Sequence, residues 1–158
     1  MINKGTAMTD LITRLTAATE PSRKLDAEIV ALLHDAIVKP YPPSTDFGPS
    51  AKWQFWSRDG AHFLGNESKW PVPHYTASLD AAMTLVPEDC HVNFGTYPKN
   101  CTYSFAKPWA QVWREGVFGR NESTAPTAAL ALCIAALRAT RCQAPMETPY
   151  DIVQELEQ

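Results

Sequence analysis

The chain has 158 residues, of which 45% are hydrophobic and 20% charged, and its formal net charge is −3. This size and composition suit one globular domain with a single core, spanning 1–158. The slightly acidic balance argues against general nucleic-acid binding through phosphate neutralisation, and the lack of any run of about 18 apolar residues argues against a membrane span.

The first predicted element is "TDLITRLTAA", where Thr9 precedes Leu11, Ile12 and Leu15 at helical spacing and serves as the expected N-cap. The apolar residues of this N-terminal segment are broken by Thr, Asp and Arg, so no secretory signal is expected. Pro21-Ser22 resets the chain, and Ser22 is placed to cap a second helix, "RKLDAEIVALLHDAI". Its stripe is Leu25, Ile29, Leu32, Leu33 and Ala36, with Arg23, Lys24 and Glu28 facing solvent. The Pro/Ser/Gly segment Lys39–Ser50 reads as a loop. "KWQFWSRDGAHFL" reads as a β-hairpin with Asp59-Gly60 at its turn. Trp53, Phe55 and Ser57 share one face there, and Gln54, Trp56 and Arg58 the other; a helix is expected to cover Trp56.

"HYTASLDAAMTLVPED", His74 to Asp89, predicts a helix from about Ser78 to Val86, closed by Pro87. The stretch from Cys90 to Gly116 reads as two or three short strands. Val92 and Phe94 alternate with polar neighbours, as do Tyr103 and Phe105, followed by Val112, and Tyr97–Asn100 forms the first turn. "VFGRNEST" reads as a loop. "APTAALALCIAALRAT" is a strong helix capped by Thr124 or Ala125, with Pro126 in its first turn and Leu130, Cys133, Ile134 and Leu137 on one face. The tail "ETPYDIVQELEQ" reads as a short final helix. Strands arranged in hairpins, with helices before and after them, predict an α+β layered sandwich and a mostly antiparallel sheet.

Motifs that carry chemistry are sparse. His62, His74, Cys90 and His91 are the candidate metal ligands, but adjacent strand residues point to opposite faces, so no metal or other cofactor is expected. Cys90, Cys101, Cys133 and Cys142 fit no Cys-x-x-Cys pattern and are expected to be reduced thiols of a cytoplasm. No nucleophile elbow and no Gly-rich phosphate loop occurs, so an enzyme is not the favoured reading. The start of the helix after His74 offers free N–H groups to an anion, with hydroxyls from Thr76 and Ser78 and flat surfaces from Trp70, His74 and Tyr75. Arg114 and Arg120 are the candidate cations. The alternative is plain capping by Thr76 or Ser78, with Asp80 favouring the helix dipole.

Three blocks, "PSRKLDAEIVALL", "PHYTASLDAAMTLVPED" and "APTAALALCIAALRA", occur in that order within residues 9–140. Together they resemble the phage ABA-sandwich domain family of bacteriophage and prophage proteins. The resemblance implies a three-layer α/β/α sandwich, a phage origin and the bacterial host cytoplasm; it implies no particular activity. Pro87-Glu88-Asp89-Cys90 departs from the Pro-Glu-Gly-aromatic pattern of similar sequences, so the resemblance by itself implies neither the tight turn after the helix nor an aromatic contact there. The insert Trp53–Lys69 and the extension 141–158 lie outside the shared blocks.

The resulting expectation is a non-enzymatic accessory protein that counters host defence by sequestering a nucleotide or cyclic nucleotide. Tyr75, Thr76, Ser78 and Asp80 would form one side of the site, with Trp113 and Arg114 opposite: the aromatic rings stack and the guanidinium meets phosphate. The alternatives are a protein-interaction module, forming a homo-oligomer or covering a host defence protein through the Ala-rich helix or the Trp56 surface, and a small enzyme acting on a phosphorylated substrate.

Overall fold

The computed structural model describes residues 4–41, 52–96, 107–115 and 121–141. Helix α1 (Lys4–Ala17) buries Met8, Leu11, Ile12 and Leu15. Met8 extends the apolar period upstream, so Thr9 lies inside the helix instead of capping it. Its hydroxyl donates to the Gly5 carbonyl at 2.8 Å, and Thr13 and Thr16 repeat this four-residue back-bond.

Helix α2 (Arg23–Leu33) follows from the expected stripe, but it ends sooner. The N–H of His34 donates to Val30 and that of Asp35 to Leu32. Asp35 then takes a positive φ of 53°, a conformation Asp tolerates better than most residues. The stripe therefore stops at Leu32; Leu33 is 48% exposed. Ser22 occupies the N-cap position with extended backbone, yet its side chain makes no capping bond.

Ala36 does not continue the helix. It opens β1 (Ala36–Pro40), which pairs antiparallel with β2 (Trp53–Ser57), and β2 pairs with β3 (Phe63–Asn66). The predicted hairpin turn is present, with Gly60 at φ 74°, where a side chain would be strained. Asp59 accepts from the Ser57 hydroxyl and from the Ala61 N–H, which ties the turn. Phe55 is fully buried, and Val38, its register partner, packs on the core. The helices thus lie on the Phe55 face. Trp56, on the opposite face, is half-buried beneath Lys39 and Phe63 rather than under a helix.

After α3 (Leu79–Met83) comes a second meander: β4 (Cys90–Gly95), β5 (Trp109–Arg114) and β6 (Asn121–Thr124). β6 falls in the segment expected to be a loop. Its sequence is wholly polar, and pairing with β5 makes it a strand. The last described helix, α4 (Ala128–Arg141), is capped by Thr127, whose hydroxyl accepts from the Leu130 N–H at 3.2 Å. Pro126 therefore precedes the helix rather than sitting in its first turn. The Tyr97–Asn100 turn, Tyr103, Phe105, Arg120, Cys101, Cys142, most of the Lys39–Ser50 loop and the tail lie outside the described residues.

The protein is α+β, and its described strands form two three-stranded antiparallel sheets, β1-β2-β3 and β4-β5-β6. α2 packs on β1, α1 on α2 and α4, and α4 on α3 and all three strands of the second sheet. The helices thus run between the two sheets. α4 is buried on nearly every side, from Ala129 to Leu137 and at Ala139. Its alanines are what let sheet and helices approach it from several directions. Leu15, Ile29, Phe55, Leu130, Leu132, Ile134 and Leu137 are the largest apolar side chains removed from water. Each contributes about 1.5–3 kcal/mol. Among the described residues no helix is long and apolar enough to cross a membrane.

Candidate functional site

The chain before α3 was expected to receive an anion, and it is instead the anchor of the fold. Ser78 is the N-cap and accepts from the Ala81 N–H at 3.3 Å, and Asp80 lies in the first turn. Those are the capping roles alone, on a helix of five residues. Thr76 is fully buried. Its N–H and hydroxyl both donate to one oxygen of Asp26, at 2.8 and 2.9 Å, and the hydroxyl accepts from the Ser22 N–H at 2.9 Å. Tyr75 is buried, and this burial raises the pKa of its phenol, with some relief from the Thr84 hydroxyl. Its carbonyl accepts from the Cys133 thiol at 3.3 Å. Neither Tyr75 nor Thr76 presents a surface to a ligand.

Asp26, in the first turn of α2, is 1% exposed. Its second oxygen pairs with Arg23 at 2.9 Å. Arg23 also donates to the Val72 and Pro73 carbonyls at 2.8 and 3.0 Å, so its donors are engaged in this clamp although its side chain stays partly exposed. One buried carboxylate thereby joins the first turn of α2 to the chain entering α3, some fifty residues later. Trp70 is partly buried: it stacks on His34 at 4.5 Å and tilts against Phe55 at 5.2 Å.

The two residues assigned opposite Tyr75 separate. Arg114 shares the inward side of β5 with Ala110 and Val112, and it pairs with Asp89, beyond the C-terminal end of α3. It does not meet the helix start. Trp113 points the other way, toward the outer face of the second sheet, and stacks on His91 at 5.7 Å and 28°. Cys133, on α4, is an inert thiol: burial pushes its pKa up to about 12. Burial and the Asp89 carboxylate push the Cys90 thiol up as well, so it is not an activated nucleophile.

The residues brought together at a surface are different ones. Ala110 and Val112 are fully buried against α4, so the alternate residues Trp109, Gln111 and Trp113 form a row on the outer face. Trp109 sits opposite Gly95, Gln111 opposite Asn93 and Glu122, and Trp113 opposite His91. A Cβ at Gly95 would come within 3.1–3.3 Å of three atoms of the Trp109 indole, so that ring lies over the bare glycine backbone. Gln111 donates to Glu122 at 3.1 Å. His91, Asn93, Glu122 and Thr124 are exposed, and both indoles are half-exposed. The alternation of large polar or aromatic residues with Ala110 and Val112 was legible in the sequence; which face it lined was not.

The first sheet carries aromatic surface on its outer face, beside Lys39 and Gln54. Phe63 is 52% exposed there and meets Trp56 edge-on at 5.6 Å. The Lys39 ammonium lies 4.6 Å from the centre of the Trp56 ring. No family model, curated protein or solved structure matches the chain.

Proposed function

We propose that the protein is a phage-encoded accessory protein that acts in the bacterial host cytoplasm by binding, with the outer face of the second sheet as its binding surface. The phage origin rests on the three ordered sequence blocks. The binding surface rests on one observation: the row Trp109, Gln111 and Trp113, two half-exposed indoles flanking an amide on a strand paired on both edges. Aromatic bodies with a few fixed polar groups are the usual lining of ligand sites.

A counter-defence role that sequesters a nucleotide keeps Trp113 as the stacking residue in this reading. Its phosphate end is weaker than the sequence suggested, because Arg114 turns inward to Asp89 and the α3 start is used for capping. The test is native mass spectrometry of the purified protein mixed with a small-molecule extract of host cells. The intact protein is expected to carry an adduct that the Trp109→Ala/Trp113→Ala double variant lacks. Identical spectra for the two proteins would refute the assignment.

The second reading is a protein-interaction module acting through the first sheet. It is favoured by the exposure of Phe63 beside Trp56. Light scattering on the protein and on Phe63→Glu tests it: a dimer that the substitution converts to monomer supports self-association through this face.

A further inference from the structure

We propose that the outer face of the second sheet binds a linear neutral oligosaccharide. This rests on the binding reading above and names its ligand class. The geometry comes first. Trp109 and Trp113 are four residues apart on one strand and share its outer face, which places them about 13 Å apart along β5. That span matches an extended chain of sugar rings rather than one small molecule. The Trp109 indole lies over the Gly95 backbone, and the Trp113 indole stacks at 28° to the His91 ring, so both are held by the sheet before any ligand arrives.

Chemistry selects among extended ligands. A pyranose ring has a face of C–H bonds that packs on an indole and a rim of hydroxyls that needs donors and acceptors. Between the two indoles stand Asn93, Gln111 and Glu122, in register across all three strands. Two amides and a carboxylate supply both donors and acceptors to hydroxyls. The charge argues the same way. Among the described residues the outward positions of β4, β5 and β6 hold the Glu122 carboxylate and no lysine or arginine; Arg114 faces inward and is paired with Asp89. A single-stranded nucleic acid also stacks on aromatic rows, but it needs a cationic track for its phosphates, and this face has none among those residues. A neutral glycan needs only what is present.

The experiment is titration of the full chain with soluble hexasaccharides of β-1,4-linked glucose, β-1,4-linked N-acetylglucosamine and mannose, with the matching disaccharides and with an oligothymidylate. Calorimetry and tryptophan fluorescence are the readouts. At least one hexasaccharide is expected to bind saturably and more tightly than its disaccharide, which is too short to reach both indoles. Trp109→Ala and Trp113→Ala are each expected to weaken binding about tenfold. Trp56→Phe, on the other sheet, should leave it unchanged. Circular dichroism checks that the variants fold, and Gln111→Ala and Trp113→Phe take over for any that do not. Binding of none of the hexasaccharides, binding indifferent to all of the second-sheet substitutions, or a preference for oligothymidylate overturns the proposal. If the hexasaccharides fail while native mass spectrometry still finds an adduct that depends on Trp109 and Trp113, the glycan is wrong and the binding surface stands. If both fail, the binding surface falls as well.

Discussion

Replacing Asp26 with alanine removes the acceptor at the centre of the clamp. The carboxylate is 1% exposed and accepts from the Thr76 N–H at 2.8 Å, the Thr76 hydroxyl at 2.9 Å and Arg23 at 2.9 Å. Breaking a buried charge pair by deleting one partner costs about 3–5 kcal/mol. Arg23 lowers that figure, because its side chain is 35% exposed and keeps its bonds to the Val72 and Pro73 carbonyls. Thr76 does not, because it is fully buried, its N–H loses Asp26, and its hydroxyl keeps only the Ser22 carbonyl at 3.4 Å. An unsatisfied buried donor costs about 1–3 kcal/mol, so the sum for Asp26→Ala is about 3 kcal/mol. Asp26→Asn keeps the shape and one acceptor oxygen, and loses the charge; its expected cost is about 1–2 kcal/mol. Urea unfolding followed by tryptophan fluorescence measures both. At an m-value of about 1–3 kcal/mol/M, the midpoint for Asp26→Ala falls by about 1 M or more. An Asp26→Ala midpoint equal to that of the parent, or an order in which Asp26→Asn is the worse of the two, would refute the clamp.

Three further outcomes follow from single sites. The Asp59 carboxyl lies below its ordinary range because it accepts from the Ser57 hydroxyl and then from the Ala61 N–H. A carboxylate with a depressed folded pKa stabilises above its unfolded value, and that contribution is lost as pH falls through the folded value. Amide exchange at Ala61 should therefore quicken selectively in acid, and Asp59→Asn should flatten that dependence. The Cys133 thiol, pushed up to about 12 by burial, favours folding below the ordinary thiol pKa and loses that contribution as pH rises from there toward about 12. At pH 8, mass spectrometry should find Cys133 unalkylated in the native protein and alkylated in urea; rapid native labelling would contradict its burial. Thr127→Ala removes the cap on the Leu130 N–H and should cost about 1 kcal/mol in thermal or urea unfolding, with Thr127→Ser restoring most of it.

Periodicity made part of this molecule readable. Leu25, Ile29 and Leu32 recur at helical spacing, and Asp59-Gly60 separates two alternating runs, so α2 and the β2–β3 hairpin were legible. β1 was not, because Ala36 continues the apolar stripe of α2 and only the backbone turn at Asp35 ends it. β6 was hidden in Asn-Glu-Ser-Thr, which has no apolar alternation and is a strand because β5 offers it partners. For the candidate site, Trp113 was expected to stack on a ligand opposite Tyr75, and the folded chain places it half-exposed on the outer face of the second sheet instead. Its companions were missed: Trp109, Asn93 and Glu122 join it only through strand register.

The sequence by itself determined the α+β class, the antiparallel character of the strands, the helix start at Ser78 and the burial of Cys133, all of which follow from local spacing and composition. Only the tertiary structure decided what the polar residues do. Arg23 and Asp26 look like solvent-facing helix charges, and Thr76 looks like a cap, until the folded chain brings them within hydrogen-bond distance and removes Asp26 and Thr76 from water. A polar side chain is compatible with solvent, a cap or a buried partner, and its neighbours in sequence do not distinguish these. Long-range contact does, and it moved the candidate surface from the α3 start to the outer face of the second sheet.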